Sequence, residues 1–203
     1  MINEINKNLR EAYNNSASER DKKGIDPWKE EQRKQFLDLI KEENKKSLLE
    51  LGAGPGRDSK FFMEQGLEVT ATDLSSEMIK LCKHKGLRAF EMGFNDIDTL
   101  NDKFDAVWAL NCLLHVEKKN LPDVLNKINS ILKPNGLFFM GVYGGEDSEG
   151  TWEEDFYNPP RFFSFYTDDH IQQVVSKHFE LIRFEGIDIG VGDHFQALTL
   201  RKK

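Results

Sequence analysis

The 203-residue chain predicts an α/β fold: one doubly wound, mostly parallel sheet of seven strands with an antiparallel last strand and helices on both faces. Three observations predict it. From residue 47 onward, short apolar runs alternate with amphipathic ones, and strand–helix alternation implies parallel strands joined by right-handed crossovers. A glycine-rich turn, Gly52-Ala53-Gly54-Pro55-Gly56, follows the first apolar run, where doubly wound sheets bind ligands beyond their strand ends. Near the C-terminus two apolar runs lie close together, the pattern of an antiparallel edge hairpin.

Residues 1–46 are polar and rich in lysine and glutamate, with helix-like stretches around 3–14 and 27–43. In the second stretch Trp28, Phe36, Leu37 and Ile40 form one apolar stripe. The intervening "NNSASERDKKG" reads as a mobile connection. Residues 1–46 are therefore expected to be a helical lid or extension, and 47–203 the main domain. Within the main domain, strands are predicted at 47–51, 68–72, 88–92, 104–110 and 137–143, with helices at about 57–65, 75–85 and 120–132. In the last helix Leu121, Val124, Leu125, Ile128 and Leu132 recur at helical spacing, and "KPNG" ends it with Pro134 and Gly136. "TDDHIQQVVSKH" (167–178) predicts a helix capped by Thr167. Strands at 179–187 and 195–200, joined by "DIGVGDH", complete the sheet.

Composition narrows the partners. Hydrophobic residues make up 38%, charged residues 31%, and the formal net charge is −7. Duplex nucleic acid is bound mainly through phosphate neutralisation, so this balance disfavours it and suits a small-molecule partner. The N-terminus lacks the apolar core of a signal peptide, and no run approaches the roughly 18 apolar residues of a membrane span. Cys82 and Cys112 are the only cysteines; two isolated thiols fit a reducing cytoplasm rather than a disulfide framework. The histidines at 84, 115, 170, 178 and 194 show no metal-ligand spacing, so no metal is expected. The expectation is a cytoplasmic monomer or homodimer that binds neither nucleic acid nor membrane.

The turn's spacing is GxGxG. A dinucleotide fingerprint would place its third glycine where Arg57 stands, and no Gly-Lys-Ser/Thr follows to hold a triphosphate. The second strand ends in "ATDLS". Asp73, 21 residues after Gly52, either accepts the hydroxyls of a nucleoside ribose or caps the following helix. Taken together, "LLELGAGPGRDS", "VTATDLSSEMI", "FDAVWALNCLLHV" and "ILKPNGLFFMGVY" resemble class I S-adenosylmethionine-dependent methyltransferases over roughly residues 47–145. The tail resembles that of their small-molecule members, which have a Rossmann-like sandwich fold.

The resemblance implies S-adenosyl-L-methionine as cofactor and S-adenosyl-L-homocysteine as product. It implies that Gly52, Ala53 and Gly54 lie along the methionine moiety, that Glu50 sits under its ammonium, that Asp73 takes the ribose and that Leu74 packs on the adenine. Where the family often carries an acidic adenine contact, this chain has Gly93 followed by Phe94; either backbone there or Asp96 replaces it. Leu110 and Asn111 would lie near the transferable methyl group. Arg33 and Tyr13 are the lid side chains that can close over the cofactor carboxylate.

Methyl transfer from a sulfonium needs alignment more than proton transfer, so a base is required only for a protonated acceptor. His115, in "NCLLHV", is the residue placed for that role; His194 is a weaker choice, His170 reads as a surface residue and Cys112 as packing. "Asn158-Pro159-Pro160-Arg161" resembles the motif of amino methyltransferases but falls after the wrong strand and lacks the aromatic, so it reads as a rigid turn. The segment 147–167 has no clear period and carries seven aromatics. It is read as a functional loop in which Trp152, Tyr157 and Arg161 bind substrate while Phe163 and Phe165 join the core. The rival readings are an NAD-dependent oxidoreductase, weakened by Arg57 and by the lack of a Tyr-x-x-x-Lys pair, and a non-catalytic cofactor-binding interaction module.

Overall fold

The computed structural model describes residues 4–190 and 193–203. Asn3, Val191 and Gly192, which fall in the first predicted helix and the last predicted linker, lie outside the described residues. The chain divides into two compact units, Met1–Gly93 with Thr151–Phe162, and Phe94–Gly150 with Phe163–Lys203.

The first unit begins with helices α1 (Glu4–Lys22) and α2 (Pro27–Glu42). Phe36, Leu37 and Ile40 of the predicted stripe are buried; Trp28 is half-buried, with the Lys29 ammonium over its ring. The expected mobile connection is a correction, because α1 continues through it to Lys22. Asparagine and serine favour caps and turns over helix interiors, but tertiary contacts override that preference. Ala12 and Ala17 are buried. The Asn14 side-chain oxygen accepts from Ser75 Oγ at 2.6 Å and from the Glu77 amide at 3.3 Å. Asp21 pairs with Lys85.

Strand β1 (Ser47–Leu51), helix α3 (Arg57–Glu64), strand β2 (Glu68–Asp73), helix α4 (Ser76–His84) and strand β3 (Arg88–Glu91) follow. Both strand pairs are parallel, with Leu51 opposite Thr72 and Asp73 opposite Glu91. Leu48, Leu49 and Leu51 are wholly buried, as a strand covered on both faces requires.

The second unit opens with a 3₁₀ segment, Phe94–Leu100, which the sequence reading missed. It continues through β4 (Phe104–Leu110), a short 3₁₀ turn (Leu113–His115), α5 (Leu121–Ile131) and β5 (Leu132–Gly144). The predicted apolar stripe is buried, except that Leu132 begins β5 instead of ending the helix. The aromatic segment is a second correction. It contains β6 (Ser148–Thr151) and β7 (Phe162–Phe165), which pair in a two-stranded sheet. Strands of four residues are too short to show a readable period. Helix α6 (Asp168–Ser176) is capped by Thr167, whose hydroxyl accepts from the His170 amide.

Strands β8 (Phe179–Gly190) and β9 (Asp193–Lys202) end the chain. β9 pairs antiparallel with both β5 and β8, so the last strand is inserted. The seven-stranded sheet runs β3-β2-β1-β4-β5-β9-β8, mostly parallel with an antiparallel last strand, as the sequence predicts.

Candidate functional site

The glycine turn leaves β1 in left-handed conformation: φ is +62° at Gly52, +54° at Gly54 and +81° at Gly56. Two of these glycines are required for different reasons. A side chain at Gly56 would meet Leu87 Cδ1 at 2.6 Å and Cys82 Sγ at 2.9 Å. A side chain at Gly54 would meet no protein atom within 4 Å. Cys82 of helix α4, with Leu87 just beyond it, packs too closely for anything but glycine at Gly56, whereas space is left open in front of Gly54.

Asp73 ends β2 beside this turn. Its Oδ2 accepts from the Gly54 amide and its Oδ1 from the Ser75 amide, each at 2.8 Å. The cap of α4 is Ser75, whose hydroxyl accepts from the Met78 amide, so the capping role open to Asp73 falls to its neighbour. Burial pushes the Asp73 carboxyl up, against backbone hydrogen bonds and the charge of Arg20. A carboxylate offers about four lone-pair sites, and the amides use two. Leu74 is half-buried beside it.

Glu50, buried in β1, takes a hydrogen bond from Ser59 Oγ. Burial holds its carboxyl well above the usual range, and the negative charges of Asp58 and then Asp73 raise it further. Asp58 is paired with Arg33 of α2 at 2.9 Å, and the Arg33 guanidinium lies 3.9 Å from the Phe61 ring centroid. Neither Glu50 nor Asp73 has an ion-pair partner among the described residues. Burying charge is costly unless it is paired, so this pair of carboxyls fits a cationic ligand in the space at Gly54.

Helix α1 is fastened to the segment 151–162 of the same unit. Arg161 is buried and grips Asp155 through Nε at 2.7 Å and Nη2 at 2.9 Å. Its guanidinium stacks 3.6 Å from the Tyr157 ring centroid, and it donates to Tyr13 Oη at 3.2 Å. Arg20 donates to Tyr157 Oη at 2.8 Å. The guanidinium expected to meet an acidic substrate is thus engaged by the chain's own Asp155. Trp152 is exposed, and its amide donates to Arg161 O.

In the second unit, Leu110 ends β4 and is half-buried. Asn111 follows with φ +53°, its amide donating to Gly141 O at 2.7 Å, while its buried Oδ1 has no partner. His115 is buried, with its ring 4.9 Å from that of Phe163. Gly93 lies just after β3 and Phe94 opens the 3₁₀ segment, both half-buried, and Asp96 is exposed. His194 pairs with Asp168, and His170 with Asp147. Cys112 is buried, as expected for packing. Phe163 is buried but Phe165 only half so, their rings stacked 5.6 Å apart. Among the described residues no cluster suited to a metal ion occurs.

Sequence reasoning missed Asn14, Arg20, Asp58 and Asp155. Asp58 was the most legible, lying two residues after Gly56 at the start of a helix. The others act at separations of 61 and 137 positions for Asn14 and Arg20, and no local pattern records such pairs.

The sheet order and the glycine turn are those that the resemblance to class I methyltransferases implies. Residues 48–136 match a family model described as a methyltransferase domain. The C-methyltransferase NovU of Streptomyces niveus is 26% identical over 98 residues, covering 46% of this chain and 23% of NovU. An uncharacterised methyltransferase of Schizosaccharomyces pombe is 26% identical over 122 residues, covering 52% of this chain and 42% of its own length. The chain therefore spans less than half the length of these two curated relatives.

Among solved structures, the 1,6-didemethyltoxoflavin-N1-methyltransferase of Burkholderia thailandensis was crystallised with 1,6-didemethyltoxoflavin and S-adenosylhomocysteine. It is 24% identical, with a TM-score of 0.75 over 100% of this chain and 91% of that one. The N-methyltransferase NodS of Bradyrhizobium japonicum, solved with S-adenosylhomocysteine, is 14% identical with a TM-score of 0.70, covering 98% and 97%. At these identities the structural likeness is one of fold.

Proposed function

We propose that the protein transfers a methyl group from S-adenosyl-L-methionine to a small-molecule acceptor, releasing S-adenosyl-L-homocysteine. The observation that carries this reading is the pair of buried carboxyls, Glu50 and Asp73, with no cation bonded to either among the described residues, beside the open space at Gly54. The cofactor supplies an activated methyl group on a positively charged sulfur, and with it an ammonium that suits Glu50. A dinucleotide would instead bring a pyrophosphate toward buried carboxylates, which disfavours the oxidoreductase alternative.

On this reading Gly52, Ala53 and Gly54 form the floor under the methionine moiety. Glu50 holds its ammonium and Asp73 accepts the ribose hydroxyls on its remaining lone pairs. Leu74, Gly93 and Phe94 are assigned to the adenine, and Leu110 and Asn111 complete the cofactor contacts. Residues 1–46 act as a lid fastened through α1, with Asn14, Asp21 and Tyr13 holding it down. Catalysis is then mainly alignment and exclusion of water, which can supply roughly 7–11 kcal/mol in favourable systems. His115 is assigned to taking a proton from an acceptor that arrives protonated, and Trp152 and Tyr157 to the acceptor. No described helix is long and apolar enough to cross a membrane. The two buried free thiols fit a cytoplasmic protein.

Calorimetric titration with S-adenosylmethionine, S-adenosylhomocysteine and NAD tests the reading. Both sulfur nucleosides are expected to bind more tightly than NAD. The reverse order would overturn it, and tight binding without methyl transfer to any member of an acceptor library would favour the non-catalytic module.

A further inference from the structure

In the first unit Arg10, Arg33 and Arg161 each face a carboxylate, that of Glu91, Asp58 and Asp155 respectively. Arg20 faces none. One terminal nitrogen, Nη1, donates to Tyr157 Oη at 2.8 Å, and the guanidinium carbon lies 5.1 Å from the Tyr13 ring centroid. Its Nε, like those of Arg10 and Arg33, is closed off from water and has no hydrogen-bond partner among the described residues. The edge formed by Nε and Nη2, whose two parallel N–H groups match a carboxylate, meets none among those residues, which sets Arg20 apart from the other two.

The surroundings make this edge rigid. Tyr157 is clamped under Arg161 at 3.6 Å and sits edge-on to Tyr13 at 5.7 Å. Its hydroxyl accepts from Arg20, so its own proton is still available to donate. A few residues away, Phe156 is 81% exposed and its ring lies 4.6 Å from that of Tyr157. An unpaired guanidinium fork, a hydroxyl donor and an uncovered ring are thus assembled at one place.

We propose that Arg20 and the Tyr157 hydroxyl read a carboxylate on the methyl acceptor, and that the acceptor is an aromatic acid whose ring packs on the Phe156–Tyr157 pair. This rests on the methyltransferase reading above. The cofactor's own carboxylate is the competing anion. It belongs beside the ammonium assigned to Glu50, whereas the charge of Arg20 is felt at Asp73, the ribose end. Arg161 cannot serve in place of Arg20, because Asp155 already neutralises it.

The test uses the full chain saturated with S-adenosylhomocysteine and two probes of one shape, benzoate and benzamide, titrated into wild type, Arg20→Gln and Arg20→Lys. Benzoate is expected to bind wild type at least about tenfold more tightly than benzamide, and Arg20→Gln to remove that preference. Arg20→Lys should restore only part of it, because an ammonium lacks the fork. S-adenosylhomocysteine affinity should stay within about twofold throughout, a change too small to count as one lost hydrogen bond. The proposal is overturned if neither probe binds, if benzoate and benzamide bind alike, or if nucleoside affinity falls in step with benzoate, which would assign Arg20 to the cofactor. Should Arg20→Gln fail to fold, Arg20→Lys alone decides: full benzoate affinity in that variant refutes the fork. Failure of wild type to bind S-adenosylhomocysteine would instead remove the underlying methyltransferase reading, so the two failures are distinguishable.

Discussion

The Asp73 carboxylate accepts the Gly54 amide at 2.8 Å, so the end of the second strand fastens the turn that follows the first. Its other oxygen, Oδ1, holds the entry to α4 by accepting from the Ser75 amide. Asp73→Ala therefore removes two charge-assisted bonds of the turn as well as the proposed ribose contact. Affinity for S-adenosylhomocysteine should fall by about 1.5–3 kcal/mol for each lost charged hydrogen bond to the ligand. Unchanged affinity by calorimetry would refute the ribose assignment.

Glu50 predicts a pH dependence. Burial, with Asp58 next to it, raises its carboxyl in the folded chain, so the folded state holds that proton more tightly than the unfolded one. The stability this contributes is complete below the unfolded value and is lost as pH rises through the folded value. Thermal unfolding of ligand-free protein across this window should show wild type weakening with pH, and Glu50→Gln should flatten the curve. A cationic ligand favours the ionised carboxylate, so nucleoside binding should release a proton and tighten as pH rises in wild type but not in Glu50→Gln. Calorimetry in buffers of different ionisation enthalpy measures that proton directly.

Gly54 and Gly56 should separate binding from stability. Alanine at Gly56 forces a methyl to within 2.6 Å of Leu87 and 2.9 Å of Cys82, at a cost of about 1–3 kcal/mol of folding stability. Alanine at Gly54 meets no protein atom and bears the backbone strain alone, about 1–2 kcal/mol, while intruding on the ligand's space. Urea unfolding paired with nucleoside affinity distinguishes them: the larger affinity loss should belong to Gly54→Ala and the larger stability loss to Gly56→Ala.

The Asp155–Arg161 pair should behave as a coupled latch. Burial raises the Asp155 carboxyl, but hydrogen bonds from Arg161 outweigh it and hold the group below its ordinary value. That stabilisation is present above the unfolded value and is lost as pH falls through the folded one. In a double-mutant cycle, Asp155→Asn and Arg161→Gln should be non-additive by about 0.5–3 kcal/mol. Additive losses would show that the two side chains do not act together. Hydrogen exchange should report faster opening of α1 in both single variants, because Arg161 also holds Tyr13.

The periodic elements were legible because burial imposes its spacing on the sequence. The run Leu48–Leu51, the α5 stripe and the inserted β9 all follow from apolar positions at strand or helix period. The glycine turn and Asp73 were legible as well, since the backbone conformation there restricts the residue types that fit. The length of α1, the pairing of β6 with β7 and the neutralisation of Arg161 were not. The first two depend on partners farther along the chain, Asn14 on Ser75 and Glu149 on Ser164, and Arg161 is neutralised by Asp155, six positions away in a segment without a period.

The sequence by itself determined the sheet and the turn, because these are written in local spacing. Only the tertiary structure decided which charges are paired. Among the described residues it left Glu50 and Asp73 without cations and Arg20 without an anion, while giving Arg33 and Arg161 partners of their own. Electrostatic pairing is a matter of distance in space, and the chain's order does not carry that distance.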